Sequence, residues 1–121
     1  MDQDQGNVVG DGKTQKRKTG SASVTFAIVP AVTGKKIKVY SLSLMTTSTV
    51  AVTVEFKDGA AGTVIGTYLL QAPTSVMAGI TENVTVPSRL FETTAGNLLE
   101  MAFSAAVVVV YNVRYWDDDA T

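Results

Sequence analysis

Carboxylates are the side chains of this chain with the most scope for chemistry, because other common catalytic residues are missing. The sequence contains no histidine and no cysteine, which removes the commonest general base, disulfides and thiolate metal sites. Two facing carboxylates can hydrolyse a glycosidic bond. The acidic residues that could supply such a pair are Glu55, Asp58, Glu82, Glu92 and Glu100. Their spacing singles out no pair, so we expect no enzymatic activity.

Two further motifs could bind an ion, and each also has a simpler explanation. The run Gly59-Ala60-Ala61-Gly62-Thr63 lacks the lysine and the following helix of a phosphate-binding loop, so a hairpin loop is favoured. The clustered carboxylates of Asp117, Asp118 and Asp119 could attract a hard cation. Three adjacent side chains at a chain end do not converge, however, and we predict a solvated acidic tail over 117–121. No metal and no cofactor is expected.

The aromatic residues could form a sugar-binding platform if several were exposed and coplanar. The residues considered for this role are Tyr40, Tyr68, Tyr111, Tyr115 and Trp116. Tyr111 and Tyr115 lie on the same face of a predicted strand as several valines, which favours packing in the core or in an interface. Trp116 could belong to either environment.

A basic cluster lies near the start of the chain, at Lys13, Lys16, Arg17 and Lys18. Residues 1–20 are polar and glycine-containing, so they bury too little apolar area to offset the entropy of ordering them. We therefore predict a flexible arm. Its cations could dock on a partner, bind nucleic acid or simply be solvated. The formal net charge of −1 gives no overall basic footprint for nucleic acid.

The rest of the chain predicts a single all-β domain over residues 21–116. Apolar residues alternate with polar ones in short segments separated by Gly, Pro and Asp turns, which is typical of a β-sandwich or barrel with about seven or eight strands. Of these, we predict a sandwich of the jelly-roll type. The phase of the strand Lys35–Met45 shifts midway, which indicates either a bulge near Tyr40-Ser41 or a strand that is apolar on both faces.

The segment Val107–Val110 is apolar on both faces, so it either lies in the core or forms a seam between subunits. In the seam interpretation, the face that carries Val108, Val110 and Trp116 contacts the partner. The charged fraction of 17% is below the usual ~25%, which also favours association. No apolar run is long enough for a membrane helix and the start lacks a signal-peptide pattern, so we expect a soluble protein made in a cytoplasm.

Two stretches resemble a known class of proteins. One runs from Val32-Thr33-Gly34-Lys35 to Phe56-Lys57-Asp58-Gly59, and the other from Leu90-Phe91-Glu92-Thr93 to Val113-Arg114-Tyr115. Together they resemble the small capsid decoration, or cement, proteins of tailed bacteriophages over roughly Ser21 to Trp116. Related modules also occur in phage tails and fibres.

The resemblance implies a jelly-roll-like sandwich that associates with itself, most often as a trimer. It also implies a place on the outer surface of the virion, where the major capsid protein is the partner and the basic arm reaches the shell. The alternative is a receptor- or glycan-binding knob of a phage tail or fibre. A third hypothesis, ranked below these two, is that the basic arm binds nucleic acid. The leading hypothesis includes no nucleic-acid partner, and none of the three includes a membrane partner.

Overall fold

The computed structural model describes residues 15–71, 78–85 and 88–119. Within these residues the chain forms nine strands and no helix, so the predicted all-β class is confirmed. The strands are β1 (Lys16–Ala22), β2 (Phe26–Val29), β3 (Lys35–Thr46), β4 (Val52–Asp58), β5 (Thr63–Leu70), β6 (Ala78–Asn83), β7 (Phe91–Glu92), β8 (Leu99–Phe103) and β9 (Val109–Asp119).

The strands form two antiparallel sheets that pack as a sandwich. One sheet has the order β1-β9-β3-β6, with the short β7 also paired to β3, and the other has the order β2-β8-β4-β5. Most successive strands lie in different sheets, except that β4 and β5 share one sheet and β6 and β7 share the other, and the last strand lies between the first and the third. This is the connectivity of a jelly roll, as predicted.

The core lies between the two inner faces and is made of the alternating apolar residues of the strands. In β4, for example, Val52, Val54 and Phe56 are buried, while the residues between them are only half-buried. Burial of an apolar side chain of this size stabilises the fold by roughly 1.5–3 kcal/mol. The period-2 pattern of the sequence therefore sets both the strand and the face that it buries.

A bulge interrupts β3, where the sequence predicted one. The β3–β9 register shifts between Val39 and Ser41. Ile37 and Val39 before the shift, and Leu42 and Leu44 after it, all belong to the core cluster. One extra residue thus keeps the apolar side chains of a long strand on one face.

Two strands begin later than their apolar alternation suggests. Val24 and Val50 continue the apolar alternation of these strands, but β2 begins at Phe26 and β4 at Val52. Val24 and Val50 are exposed because they precede the ladders. Alternation alone does not reveal where the partner strand ends.

Both predicted chain-end boundaries are wrong. Residues 16–20 were assigned to a flexible arm, but they belong to β1 and pair with the segment Tyr111–Tyr115 of β9. Asp117, Asp118 and Asp119 were assigned to a solvated tail, but they belong to β9 and pair with Ile37, Lys36 and Lys35. Backbone hydrogen bonds and neighbouring opposite charges offset the conformational entropy that these residues lose when they are ordered. Residues 1–14 and 120–121, the remainder of the arm and the tail, lie outside the described residues.

Gly66 provides a test of the packing between β5 and β7. A Cβ atom on Gly66 would lie 2.9 Å from Cε2 of Phe91, whose ring packs 5.1 Å from that of Phe56. The β4–β5 register also shifts beside this residue, between Phe56 and Lys57 of the partner strand.

We predict that Gly66→Ala lowers the free energy of unfolding by about 1–3 kcal/mol, because overpacking forces the buried Phe91 ring to move. Urea denaturation measures this change. The control is Thr67→Ala, at the exposed neighbouring position, for which we expect a change within about 0.5 kcal/mol. Equal effects of the two substitutions would contradict the packing account.

Candidate functional site

The outward side of the five-stranded sheet is the candidate site, and strand register determines its composition. Residues directly opposite each other in an antiparallel ladder share a face. Three rows of four residues therefore form what we call the outer face. The first row is Arg17, Arg114, Ser41 and Asn83; the second is Thr19, Asn112, Ser43 and Thr81; the third is Ser21, Val110, Met45 and Gly79.

The outer face is polar in its first two rows and partly apolar in the third. The Ser41 hydroxyl donates to Oδ1 of Asn83 at 2.5 Å, and the hydroxyls of Ser43 and Thr81 lie 3.5 Å apart. None of the residues in the three rows is acidic. In the third row, Met45 and Val110 are 37% and 47% exposed, although both are large and apolar.

A groove of about 540 Å³ crosses the second and third rows. Its lining residues are Thr19, Gly20, Ser21, Ser43, Met45, Val110, Tyr111 and Asn112. The side chain of Asn112 is half-buried at the bottom of this groove.

The structure separates the residues that the sequence assigned to a subunit seam. Val108 is 57% exposed, and together with Val110 and Met45 it extends the apolar part of the outer face. Trp116 is only 1% exposed, with its ring 5.7 Å from that of Tyr40. The assignment of Trp116 to the seam is therefore wrong, because Tyr40 and the surrounding chain already cover it. For Val108 and Val110 the seam stays a prediction.

The basic cluster does not form one patch. Lys16 donates to Oδ2 of Asp117 at 2.7 Å, and Lys18 lies opposite the core residue Val113. Arg17 lies on the other side of β1, on the outer face and opposite Arg114. Alternation along a strand thus divides the cations between two faces, and Lys13 lies outside the described residues.

The acidic end of β9 is part of an ion-pair network. Nζ of Lys38 lies 3.3 Å from Oδ2 of Asp118, and Nζ of Lys36 lies 3.5 Å from Oε2 of Glu92. Glu92 also pairs with Arg89. With Lys16–Asp117, these pairs connect β1, β3, β7 and β9.

Burial, assisted by the charge of Asp117, raises the pKa of Tyr115. Within 15–71, 78–85 and 88–119, no group of three acidic side chains is arranged to hold a metal ion.

All the aromatic residues of the chain fall within the described ranges, and none is exposed. Tyr115 belongs to the core, and Tyr111 packs against it with its ring 5.7 Å from Phe26, so the predicted core packing of these two residues is confirmed. Tyr68 lies at the opposite edge of the sandwich. Burial and a hydrogen bond to Glu82, which joins β5 to β6, raise the pKa of its hydroxyl. The half-buried Tyr111 is the aromatic residue that lines the groove of the outer face.

Asp58, one of the carboxylates considered for catalysis, is engaged in a turn. It accepts hydrogen bonds from the Thr94 amide at 2.9 Å, the Thr94 hydroxyl at 2.6 Å and Nδ2 of Asn97 at 3.0 Å. Burial alone would raise the pKa of Asp58, but the hydrogen bonds stabilise the ionised carboxylate by more. The pKa of Asp58 is therefore lowered from the ordinary value of 3.8. The carboxylate therefore fastens the β4–β5 hairpin to the turn at Thr93-Thr94-Ala95-Gly96.

We predict that Asp58→Asn lowers the free energy of unfolding by about 1–2 kcal/mol at neutral pH, because a charge-assisted acceptor is lost. The folded pKa lies below the unfolded one, so the contribution of Asp58 is present above pH 3.8 and is lost as pH falls through the folded pKa. The cost of the substitution should therefore shrink in acid. Urea denaturation across the acidic range measures it.

The control for this prediction is Glu55→Gln, which removes the same charge from β4 and should change stability by less than about 0.5 kcal/mol. A cost of Asp58→Asn that stayed constant down to pH 2 would contradict the role assigned to the ionised carboxylate.

Most residues of the outer face were not predicted from the sequence. Arg114, Asn112 and Asn83 become neighbours of Arg17 and Thr19 only through strand register. The available signal was the polar residues that alternate with apolar ones in β3 and β9. It indicates an outward face, but it cannot show which strands lie beside each other.

Comparisons with known proteins complete the description. No protein-family model matches the chain, and no curated protein sequence matches it. In the part of the chain that the structure describes, no helix could span a membrane.

Several solved structures are similar in the path of the chain. A chain from Bacillus endospore appendages, described as disulfide-linked pili, has a TM-score of 0.47 at 16% identity, covering 97% of this chain and 94% of that one. A pentameric capsid protein from metagenomic phage sequences has a TM-score of 0.46 at 16% identity, covering 96% and 68%. A Clostridium stercorarium carbohydrate-binding module in complex with cellobiose has a TM-score of 0.39 at 17% identity, covering 91% and 76%. At these values the similarity does not establish a shared function.

Proposed function

We propose that the protein is a structural component of a phage particle, which binds to the outer surface of an assembled capsid and stabilises it as a homo-oligomer. A trimer is the expected assembly and the major capsid protein the expected partner. The observation that carries this proposal is the exposed apolar strip Val108, Val110 and Met45 beside an open groove on a rigid sheet. The phage-like sequence stretches between Val32 and Tyr115 support it.

The physical requirements of such a role agree with these features. A protein that holds neighbouring shell subunits together needs a stiff body and repeated contacts, and it needs no reaction. In a symmetric oligomer the same weak contact is made several times, so avidity can exceed a single affinity by ~10²-fold or more. The jelly roll provides the stiff body, and the outer face provides contact area that its own fold leaves uncovered.

The direct test is co-sedimentation of the purified full chain with phage heads that lack decoration. We expect the protein to pellet with the heads at a fixed ratio to the shell subunits, and to raise the temperature at which the heads rupture. Protein that stays in the supernatant at every concentration would contradict a decoration role.

A second test concerns the seam. We predict that the double variant Val108→Lys/Val110→Lys weakens self-association at least about tenfold, because a seam would bury two unpaired ammonium groups. Both side chains are exposed in the single chain, so the fold should be unaffected. Analytical ultracentrifugation measures the mass, and circular dichroism checks the fold.

The matched control for the seam is Val64→Lys. Val64 is also an exposed valine, at 41%, but it lies on β5 in the other sheet. We expect this variant to keep the oligomer. If the double variant assembles as the unmodified protein does, Val108 and Val110 are not the seam.

A further inference from the structure

We infer that one whole end of the sandwich, which we call the uncharged end, is the surface by which copies of this chain meet. At this end β1, β3, β5 and β8 finish, and β2, β4, β6 and β9 begin. The inference rests on the proposed function, from which it takes the homo-oligomer, and it identifies the part of the chain that builds the assembly.

Charge is segregated along the strands. The described residues that form the uncharged end include no Asp, Glu, Lys or Arg; they are 19–26, 43–54, 68–71, 78–81 and 103–112. All the charged residues in the described ranges lie beyond these positions, and Lys36, Asp58 and Asp118 lie at the opposite end. The sandwich therefore has one charged end and one uncharged end.

Exposed apolar side chains are concentrated at the uncharged end. Of the eight large apolar side chains that are exposed in the described residues, six lie there: Val24, Met45, Val50, Leu69, Val108 and Val110. They come from both sheets and from the connections between strands, so they lie around the end on more than one side. Exposed apolar area gathered in one region of a small protein marks an interaction site.

Several hydroxyl groups at this end are bonded to the backbone of the chain itself. The Thr46 hydroxyl donates to the carbonyl oxygen of Val108 at 2.9 Å and accepts from the Ser48 amide at 3.1 Å. The Ser104 hydroxyl accepts from the Thr53 amide at 2.8 Å. These bonds hold the connections in place before association, so that a contact here loses less conformational entropy.

A second copy is the partner that fits an uncharged surface best. About 25% of the residues of an average protein are charged, and a foreign surface placed here would bury charges that meet no counter-charge. The uncharged end of another copy brings none. A lipid surface fits less well, because the described residues of this end include no Lys, Arg or Trp to contact headgroups.

The size of the uncharged end is sufficient for a reversible contact. With strands about 4.8 Å apart and sheets about 10 Å apart, it measures roughly 20 Å by 20 Å once the outward side chains are included. With about 200 Å² more from the second and third rows of the outer face, two copies would together bury about 1,200 Å². This total is at the lower limit for a specific interface, so the mass of the assembly should depend on protein concentration.

The test is the double variant Val50→Lys/Leu69→Lys of the full chain, because neither residue belongs to the strip Val108, Val110 and Met45. We expect this variant to weaken self-association at least about tenfold, since the interface would bury two unpaired ammonium groups. Analytical ultracentrifugation over a range of protein concentrations measures the mass. Circular dichroism and urea denaturation check that the fold is retained.

The matched control is Val32→Lys/Val64→Lys at the charged end. Each pair combines a valine in a connection between strands with an apolar residue of β5. Val50 and Leu69 are 51% and 50% exposed, and Val32 and Val64 are 39% and 41% exposed. We expect the control to keep the oligomer, and equal behaviour of the two double variants would overturn the inference.

Salt provides an independent readout of the same interface. An interface without charges should hold as tightly at about 0.5 M NaCl as at about 0.05 M, because it contains no ion pair for salt to screen. Self-association that weakens over this range would contradict a contact through the uncharged end.

Co-sedimentation with phage heads separates this inference from the capsid role. An oligomer that depends on Val50 and Leu69 but stays in the supernatant supports the inference and contradicts the capsid role. If Val50→Lys/Leu69→Lys keeps its mass but no longer pellets with heads, this end contacts the shell instead of a second copy, and the inference is wrong. A chain that is monomeric at every concentration also overturns it.

Discussion

The pairing of β3 with β9 is the interaction on which the rest of the sandwich depends. The two strands run antiparallel from Lys35 opposite Asp119 to Met45 opposite Val110. β9 also carries β1, and β3 also carries β6 and β7, so the larger sheet is assembled around this one ladder. Its inward side chains, including Ile37, Leu42 and Val113, lie in the core. A sheet of this kind closes only when the last strand of the chain has joined the third.

This ladder also explains why the charged ends of the chain are ordered. Asp117 and Asp118 extend β9 alongside Lys36 and Ile37, where they find lysine partners on two different strands. Because β9 lies between β1 and β3, the acidic residues at its end contact lysines on both neighbouring strands. Half-buried pairs of this type owe part of their strength to reduced solvent screening. The ion pair between Lys16 and Asp117 helps to hold β1 at the edge of the sheet, with Arg17 on the outward side.

Local pattern was enough to predict the class of the fold and several of its details. The apolar alternation of the strands and the phase shift near Tyr40 are consequences of neighbouring residues, and both were anticipated. The ends of the chain were not, because the gain that orders Lys16 or Asp118 comes from a strand far away in sequence. Trp116 shows the same limit. Its place in the alternation suggested exposure beside Val110, while its burial depends on contacts such as that with Tyr40, which lies on a different strand. The outer face could not be predicted from local pattern either, because it combines residues from four strands.

We propose that this small sandwich acts through its surfaces. One end of the outer face is apolar and exposed, and the other carries two arginines in register. The measurement that tests this most directly is an electron cryomicroscopy reconstruction of phage heads incubated with the protein. The account predicts copies of the two-sheet sandwich at symmetry-related positions on the outside of the shell, with the sheet that contains β3 and β9 in the contacts. Bare heads, or sandwiches attached through the sheet that contains β4 and β5, would contradict it.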